Sequence, residues 1–166
     1  MYHAAKNSAT DKLPDEIKAI YKVISARIPG FSDIGSLAKN TGIGSLVYAI
    51  KPGDGSAREQ AASCQKVLGT WANIAREYAT KRYRSNCINW GILPFISDSA
   101  KIDFSLNSVI FLPGIRRLVE EAIEEIAGWI IENNTVRPFK LSLPDLTEKD
   151  RQILLAGNLI NYQTGR

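Results

Sequence analysis

The chain has 166 residues, 45% hydrophobic and 23% charged, with 21 Lys and Arg against 17 Asp and Glu for a net charge of +4. Such a chain is long enough for one folded domain with its own core, and its composition excludes a disordered or low-complexity protein. The mild positive excess suits acidic metabolites better than nucleic acid, no apolar run reaches membrane-span length, and the first ten residues lack the apolar core of a secretory signal, so a cytoplasmic setting is expected.

Residues 1–12 read as a flexible polar lead and residues 13–166 as one domain. Leu13, Ile17, Ile20, Tyr21 and Ile24 recur at helical spacing, with Pro14 suited to a first turn and Pro29-Gly30 as the stop. Residues 35–44 read as a turn-rich connector, and the apolar run 45–50 has the length of a buried strand. A glycine turn, Pro52-Gly-Asp-Gly-Ser-Ala-Arg-Glu-Gln-Ala61, follows. Ser56 then fits a helix N-cap with Glu59 three residues on, as a capping box requires, and Gly69 ends that helix. Residues 71–75 predict a second strand, 80–90 a second helix broken by Gly91, and 92–96 a third strand in which Pro94 argues for an edge or a strand end. This alternation predicts an α/β layer with parallel pairing.

Beyond it, residues 108–112 are strand-like, and Pro113-Gly114 opens a short helix with Ile115, Leu118, Val119 and Ala122 on one face. Residues 126–131 and 136–143 read as two strands about Asn133-Asn134. Thr147 opens a last helical element whose apolar stripe includes Ile153, Leu154 and Leu159.

The glycine turn is the chemical candidate. A strand, a turn in which Gly53 and Gly55 permit positive φ, and a helix start leave unpaired N–H groups facing whatever sits there, which suits a carboxylate or a phosphate. Ser56 and Arg58 add a hydroxyl and a forked cation, although both also fit a plain helix start. His3 is the single histidine and lies in the lead, so no histidine-dependent triad is expected. Cys64 and Cys87 lack metal-ligand spacing and read as packed thiols. Asp54 fits a turn stabiliser, Lys81-Arg-Tyr-Arg84 a solvated basic helix face, and Glu120, Glu121, Glu124 and Glu125 a solvated acidic one.

Gly53-Asp-Gly-Ser-Ala-Arg-Glu-Gln-Ala61 resembles the Gly-x-Gly-Ser-Ser-Arg-Glu-His-Ala signature of the aconitase superfamily. Ser85-Asn-Cys-Ile-Asn-Trp-Gly-Ile-Leu-Pro94 resembles a second segment of that family. Leu146-Thr-Glu-Lys-Asp-Arg-Gln-Ile-Leu-Leu-Ala-Gly-Asn-Leu-Ile-Asn-Tyr162 resembles the C-terminal helix of single-chain bacterial aconitases. The resemblance spans roughly residues 40–162 and implies the swivelling C-terminal domain of a hydro-lyase, with mixed α/β layers and a small β-barrel-like part. The same domain occurs as the small subunit of isopropylmalate isomerases.

The implied reaction is dehydration and rehydration of a hydroxy di- or tricarboxylic acid. By resemblance, Ser56 stands at the position of the catalytic base, Arg58 at that of a carboxylate binder, and Ala57 where a second serine helps hold substrate, leaving only its backbone N–H. The implied 4Fe-4S cluster belongs to other domains, in the same polypeptide or in a large subunit, and none of its ligands is expected in this chain. Gln60 and Tyr83 stand where the family has histidines, and Lys81 where it has arginine. These departures motivate an alternative, a non-catalytic carboxylate-binding or regulatory domain on the same fold. RNA binding gains little support from the charge.

Overall fold

A computed structural model describes residues 14–97 and 105–165; the polar lead and His3 lie outside the described residues. Among the described residues two compact units emerge, one from residues 14–43, 105–111 and 129–139, the other from residues 44–97, 112–128 and 140–165.

In the first unit, α1 (Asp15–Arg27) follows Pro14, which sits at the N-cap rather than inside the first turn. Asp15 and Glu16 in the first turn and Arg27 in the last complement the helix dipole. The chain leaves the helix through extended Ile28 and the positive φ of Gly30, as expected from Pro29-Gly30. The connector expected over 35–44 is instead largely helical: α2 spans Ile34–Asn40. The Asp33 side chain accepts from Gly35 N at 2.9 Å and caps it, while Leu37 and Ala38 sink into the core. Three glycines, Gly35, Gly42 and Gly44, and several polar residues hid a helix whose formation depends on that one cap and on packing. The core joins Tyr21, Ile24, Ile28, Leu37 and Ala38 to Phe111 and Ile131.

Phe111 closes β4 (Val109–Phe111), which pairs antiparallel with β5 (Glu125–Glu132) in the register Phe111↔Trp129. Asn133 and Asn134, at φ 48 and 62, then turn the chain into β6 (Thr135–Ser142), the hairpin the Asn pair predicts.

The second unit carries the expected alternation. In chain order it runs β1 (Ser45–Ala49), α3 (Arg58–Val67), β2 (Thr70–Ala75), α4 (Lys81–Asn89) and β3 (Leu93–Ile96). Both strand pairs are parallel, with Val47↔Asn73 and Ala49↔Ala75 in one and Ile74↔Phe95 in the other. Strand order is β1-β2-β3-β6-β5-β4, an open sheet, so the expected barrel-like part is not closed. β3 therefore lies inside the order. Its pairing with β6 is confined to Ile96↔Ser142, which leaves Pro94, with no N–H to offer, paired only toward β2.

α5 (Ile115–Glu120) starts after Gly114, and Ala122 lies past its end with φ 59. The acidic residues expected on one helix face thus divide among the helix end, its exit and β5, where Glu125 pairs with Lys140 at 2.8 Å. The final element divides too: α6 (Glu148–Ala156) has the capping box Thr147–Asp150, and left-handed Gly157 separates it from α7 (Leu159–Thr164).

Gly91 is the tightest joint. Its φ is +66, and a methyl there would sit 1.8 Å from the Gly157 carbonyl oxygen, so two backbones meet with no side chain between them. Gly91→Ala should cost about 3 kcal/mol or more, left-handed strain plus overpacking. Gly114→Ala, with similar φ but open space, should cost about 1 kcal/mol. Urea unfolding of the two variants checks the difference.

Candidate functional site

The glycine turn is built between the end of β1 and the start of α3, and the segment entering α4 holds it. The Ile50 carbonyl accepts from Arg76 N and Glu77 N at 3.2 Å, and the Pro52 carbonyl accepts from Ala79 N at 2.9 Å. The Thr80 hydroxyl donates to the Gly53 carbonyl at 3.0 Å and accepts from Tyr83 N at 3.2 Å, so one side chain caps α4 and anchors the turn. Gly53 has φ +95, and a Cβ there would lie 2.4 Å from the Tyr83 ring. Glycine is required on both counts. Gly55 does not adopt positive φ, so one of the two glycines supplies the left-handed step.

Tyr83 was read as part of a solvated basic face, yet it is 2% exposed. Its hydroxyl accepts from Gln65 Nε2 on α3 at 2.9 Å and from Asn73 Nδ2 on β2 at 3.3 Å. Asn73 Nδ2 also reaches Gln65 Oε1 at 3.1 Å and Cys87 Sγ at 3.5 Å. The Asn73 carbonyl oxygen is buried without a hydrogen-bond partner among the described residues. Burial pushes the Cys87 thiol up to about 11, against the pull of its hydrogen bonds with Tyr83 and Asn73, and burial raises Tyr83 as well. Arg84, the other surprise on this face, donates to the Pro144 and Asp145 carbonyls.

The expected capping box is absent. Ser56 is exposed and precedes the N-cap; Ala57 occupies the N-cap and makes no side-chain cap. The cap comes from α4 instead. With its amide oriented to satisfy its neighbours, Asn86 accepts from Glu59 N at 3.0 Å and donates to Glu59 Oε2 at 3.2 Å and to the Arg82 carbonyl at 3.3 Å. Trp90 Nε1 donates to Glu59 Oε1 at 2.5 Å. Glu59 is thus turned toward α4, away from Ser56.

Arg58, the first residue of α3, is half-buried; its Nε is buried without a partner, and the guanidinium forms no ion pair among the described residues. Ser56, Ala57 and Arg58 therefore lie together at one helix start, with the hydroxyl and the cation both uncommitted. Asp54 is exposed, and so is Cys64, contrary to its reading as packed; Cys87 is buried as expected. Among the described residues no group of three or more His, Cys, Asp or Glu could hold a metal, so these residues do not fit an iron–sulfur cluster. No helix among them is long and apolar enough to cross a membrane.

Sequence reasoning missed Gln65, Asn73, Thr80 and Asn86 as supports. One signal was present: Thr80, Tyr83, Cys87 and Trp90 recur at helical spacing and mark a single face of α4.

The model of the aconitase C-terminal domain family matches residues 7–99. The chain is 34% identical over 113 residues to the 3-isopropylmalate dehydratase small subunit of Pyrobaculum aerophilum, covering 66% of this chain and 60% of that protein. It is 34% identical over 110 residues to the methanogen homoaconitase small subunit of Methanocaldococcus jannaschii, covering 66% and 55%. The chain thus spans somewhat over half the length of these relatives.

Two measurements follow from the buried network. Tyr83→Phe keeps the ring against Gly53 but strands the Gln65 Nε2 donor and takes one of three acceptors from Asn73 Nδ2, and should lower stability by about 1–2 kcal/mol in denaturant unfolding. For Cys87 the folded value of about 11 lies above the ordinary 9.0, so the folded state holds its proton more tightly. Its contribution is complete below pH 9 and is lost as pH rises toward 11, by about 2–3 kcal/mol. Cys87→Ala should flatten that alkaline fall, and in the native chain iodoacetamide should label Cys64 and spare Cys87.

Proposed function

The chain belongs to the aconitase C-terminal domain family, and from that membership we propose that it serves a hydro-lyase acting on a hydroxy di- or tricarboxylic acid. Ser56 is the base that takes a proton from substrate carbon, Arg58 binds a substrate carboxylate, and Ala57 offers its backbone N–H. The observation that carries this reading is Arg58: a half-buried guanidinium with a sequestered Nε and no protein anion beside it. A buried N–H without a partner is costly, and a ligand carboxylate would satisfy it with a hydrogen bond while pairing with the cation.

Ser56 fits the base role in complementary ways. Its hydroxyl has no hydrogen-bond partner among the described residues, so nothing has to be broken before it acts. An alkoxide is stabilised only where water is excluded and positive potential is high. The N–H groups at the start of α3 and the Arg58 cation supply the potential. The exposure of Ser56 in this chain calls for another domain to close over it. We place the iron–sulfur cluster on that other domain, in the same polypeptide or in a large subunit, as the family resemblance implies; the naming of both relatives as small subunits favours a large-subunit partner. A cytoplasmic setting goes with this reading.

One observation favours the non-catalytic alternative: Ala57 gives the N-cap position a methyl where a hydroxyl could bind substrate, and losing such a contact shifts specificity by orders of magnitude. Tyr83 packs beneath the turn, a structural role that accounts for its presence under either reading.

In the holoenzyme, Ser56→Ala should lower kcat by at least about a thousandfold, with stability unchanged within about 0.5 kcal/mol. Arg58→Lys should raise KM for the acid about tenfold or more. Unaltered turnover in Ser56→Ala would remove the base assignment. Calorimetric binding of the acid without turnover in the unmutated protein would favour the regulatory reading.

A further inference from the structure

We infer that Asn86 is a positioning residue: it caps α3 from a neighbouring helix and thereby leaves the Ser56 hydroxyl and the Arg58 guanidinium free at the turn. The inference rests on the functional reading of those two residues. A helix start leaves its first N–H groups unpaired, and a nearby serine ordinarily satisfies one of them through its own hydroxyl. A serine engaged in that way spends its lone pairs on the backbone. α3 avoids the conflict. Its own N-cap is Ala57, which has no acceptor in its side chain, and the N–H of Glu59, two residues into the helix, is received by the Asn86 carbonyl at 3.0 Å.

The amide of Asn86 and the indole of Trp90 then hold the Glu59 carboxylate, so that side chain cannot fold back onto the turn as it would in a capping box. Asn86 can act from a distance because α4 is rigid where it matters. Thr80 caps the helix, Tyr83 is buried beneath Gly53, and the glycine that follows the helix, Gly91, is fixed by backbone contact. The support of the site is thus displaced by one helix, and the local residues keep their polar groups for a ligand.

The test compares Asn86→Ala, Asn86→Asp, Ala57→Ser and the double variant Asn86→Ala/Ala57→Ser in the holoenzyme. Hydrogen exchange of residues 58–61 reads the cap, and kcat and KM read the site. Asn86→Ala should speed exchange there about fivefold and lower kcat/KM about tenfold. Asn86→Asp keeps the acceptor but loses the donor to Glu59 and sets a second carboxylate beside it, so its protection should fall between those of Asn86→Ala and the unmutated protein. Ala57→Ser places an acceptor at the N-cap and should restore protection in the double variant, judged against Ala57→Ser alone. Unchanged exchange in Asn86→Ala overturns the cap. Faster exchange with kcat and KM both unaltered overturns the positioning role and leaves a purely structural cap. If the unmutated holoenzyme turns over no hydroxy acid, the functional reading falls and the positioning role with it, while the exchange data still decide the cap.

Discussion

The contact between the Tyr83 ring and the Gly53 backbone is the point on which the site depends. A turn with φ +95 has several neighbouring conformations of similar energy, and glycine by itself would let the chain sample them. The ring removes that freedom from one side, and the Thr80 hydroxyl removes it from the carbonyl side. Because the Tyr83 hydroxyl also meets Gln65 on α3, the same side chain sets the distance between the turn and the helix that carries Arg58. Thr80, Tyr83, Asn86 and Trp90, on one face of α4 and its caps, thus hold the turn and the start of α3 in place.

This arrangement is polar where a core would be cheaper if apolar. Gln65, Asn73, Tyr83 and Cys87 share hydrogen bonds under an otherwise small apolar cluster with Ala62 and Ile92. Each bond adds little net stability, since water would have offered the same partner, but breaking one leaves a buried group unsatisfied. Such a network discriminates strongly between one packing of α3 on α4 and its alternatives. A helix pair held only by aliphatic side chains would slide more readily, and the roles proposed for Ser56 and Arg58 would tolerate little sliding.

The parts legible in sequence are those whose causes are local. The strand and helix alternation over residues 45–96, the Asn133-Asn134 turn and the Thr147 cap each rest on residues within a few positions of one another. α2 escaped because its helix follows from a single cap by Asp33 and from burial of Leu37 and Ala38 in a core assembled from distant segments. The cap of α3 escaped for a similar reason: Ser56 and Glu59 had the right spacing for a box, but Asn86 and Trp90, about thirty residues away, took the partner. Pro94 was read as marking an edge or a strand end; it lies second in β3 with no partner on β6, although the single pairing at Ile96 places β3 inside the order. Ser56 and Arg58 were candidates from the glycine turn and Ala57 from the resemblance; that the Ser56 hydroxyl and the Arg58 cation are uncommitted was visible only once the neighbours were placed.

The Gly91–Gly157 joint also bears on where an autonomous fragment of this fold can be cut. The family match ends at residue 99, yet the backbone that stops α4 from shifting is supplied from residue 157, and the carbonyls that receive Arg84 come from residues 144 and 145. A piece trimmed to the matched region would retain every residue of the glycine motif and lose the buttress behind the helix that shapes it. The chain from residue 144 onward is in that sense part of the support of the candidate site, reached there through main-chain carbonyls.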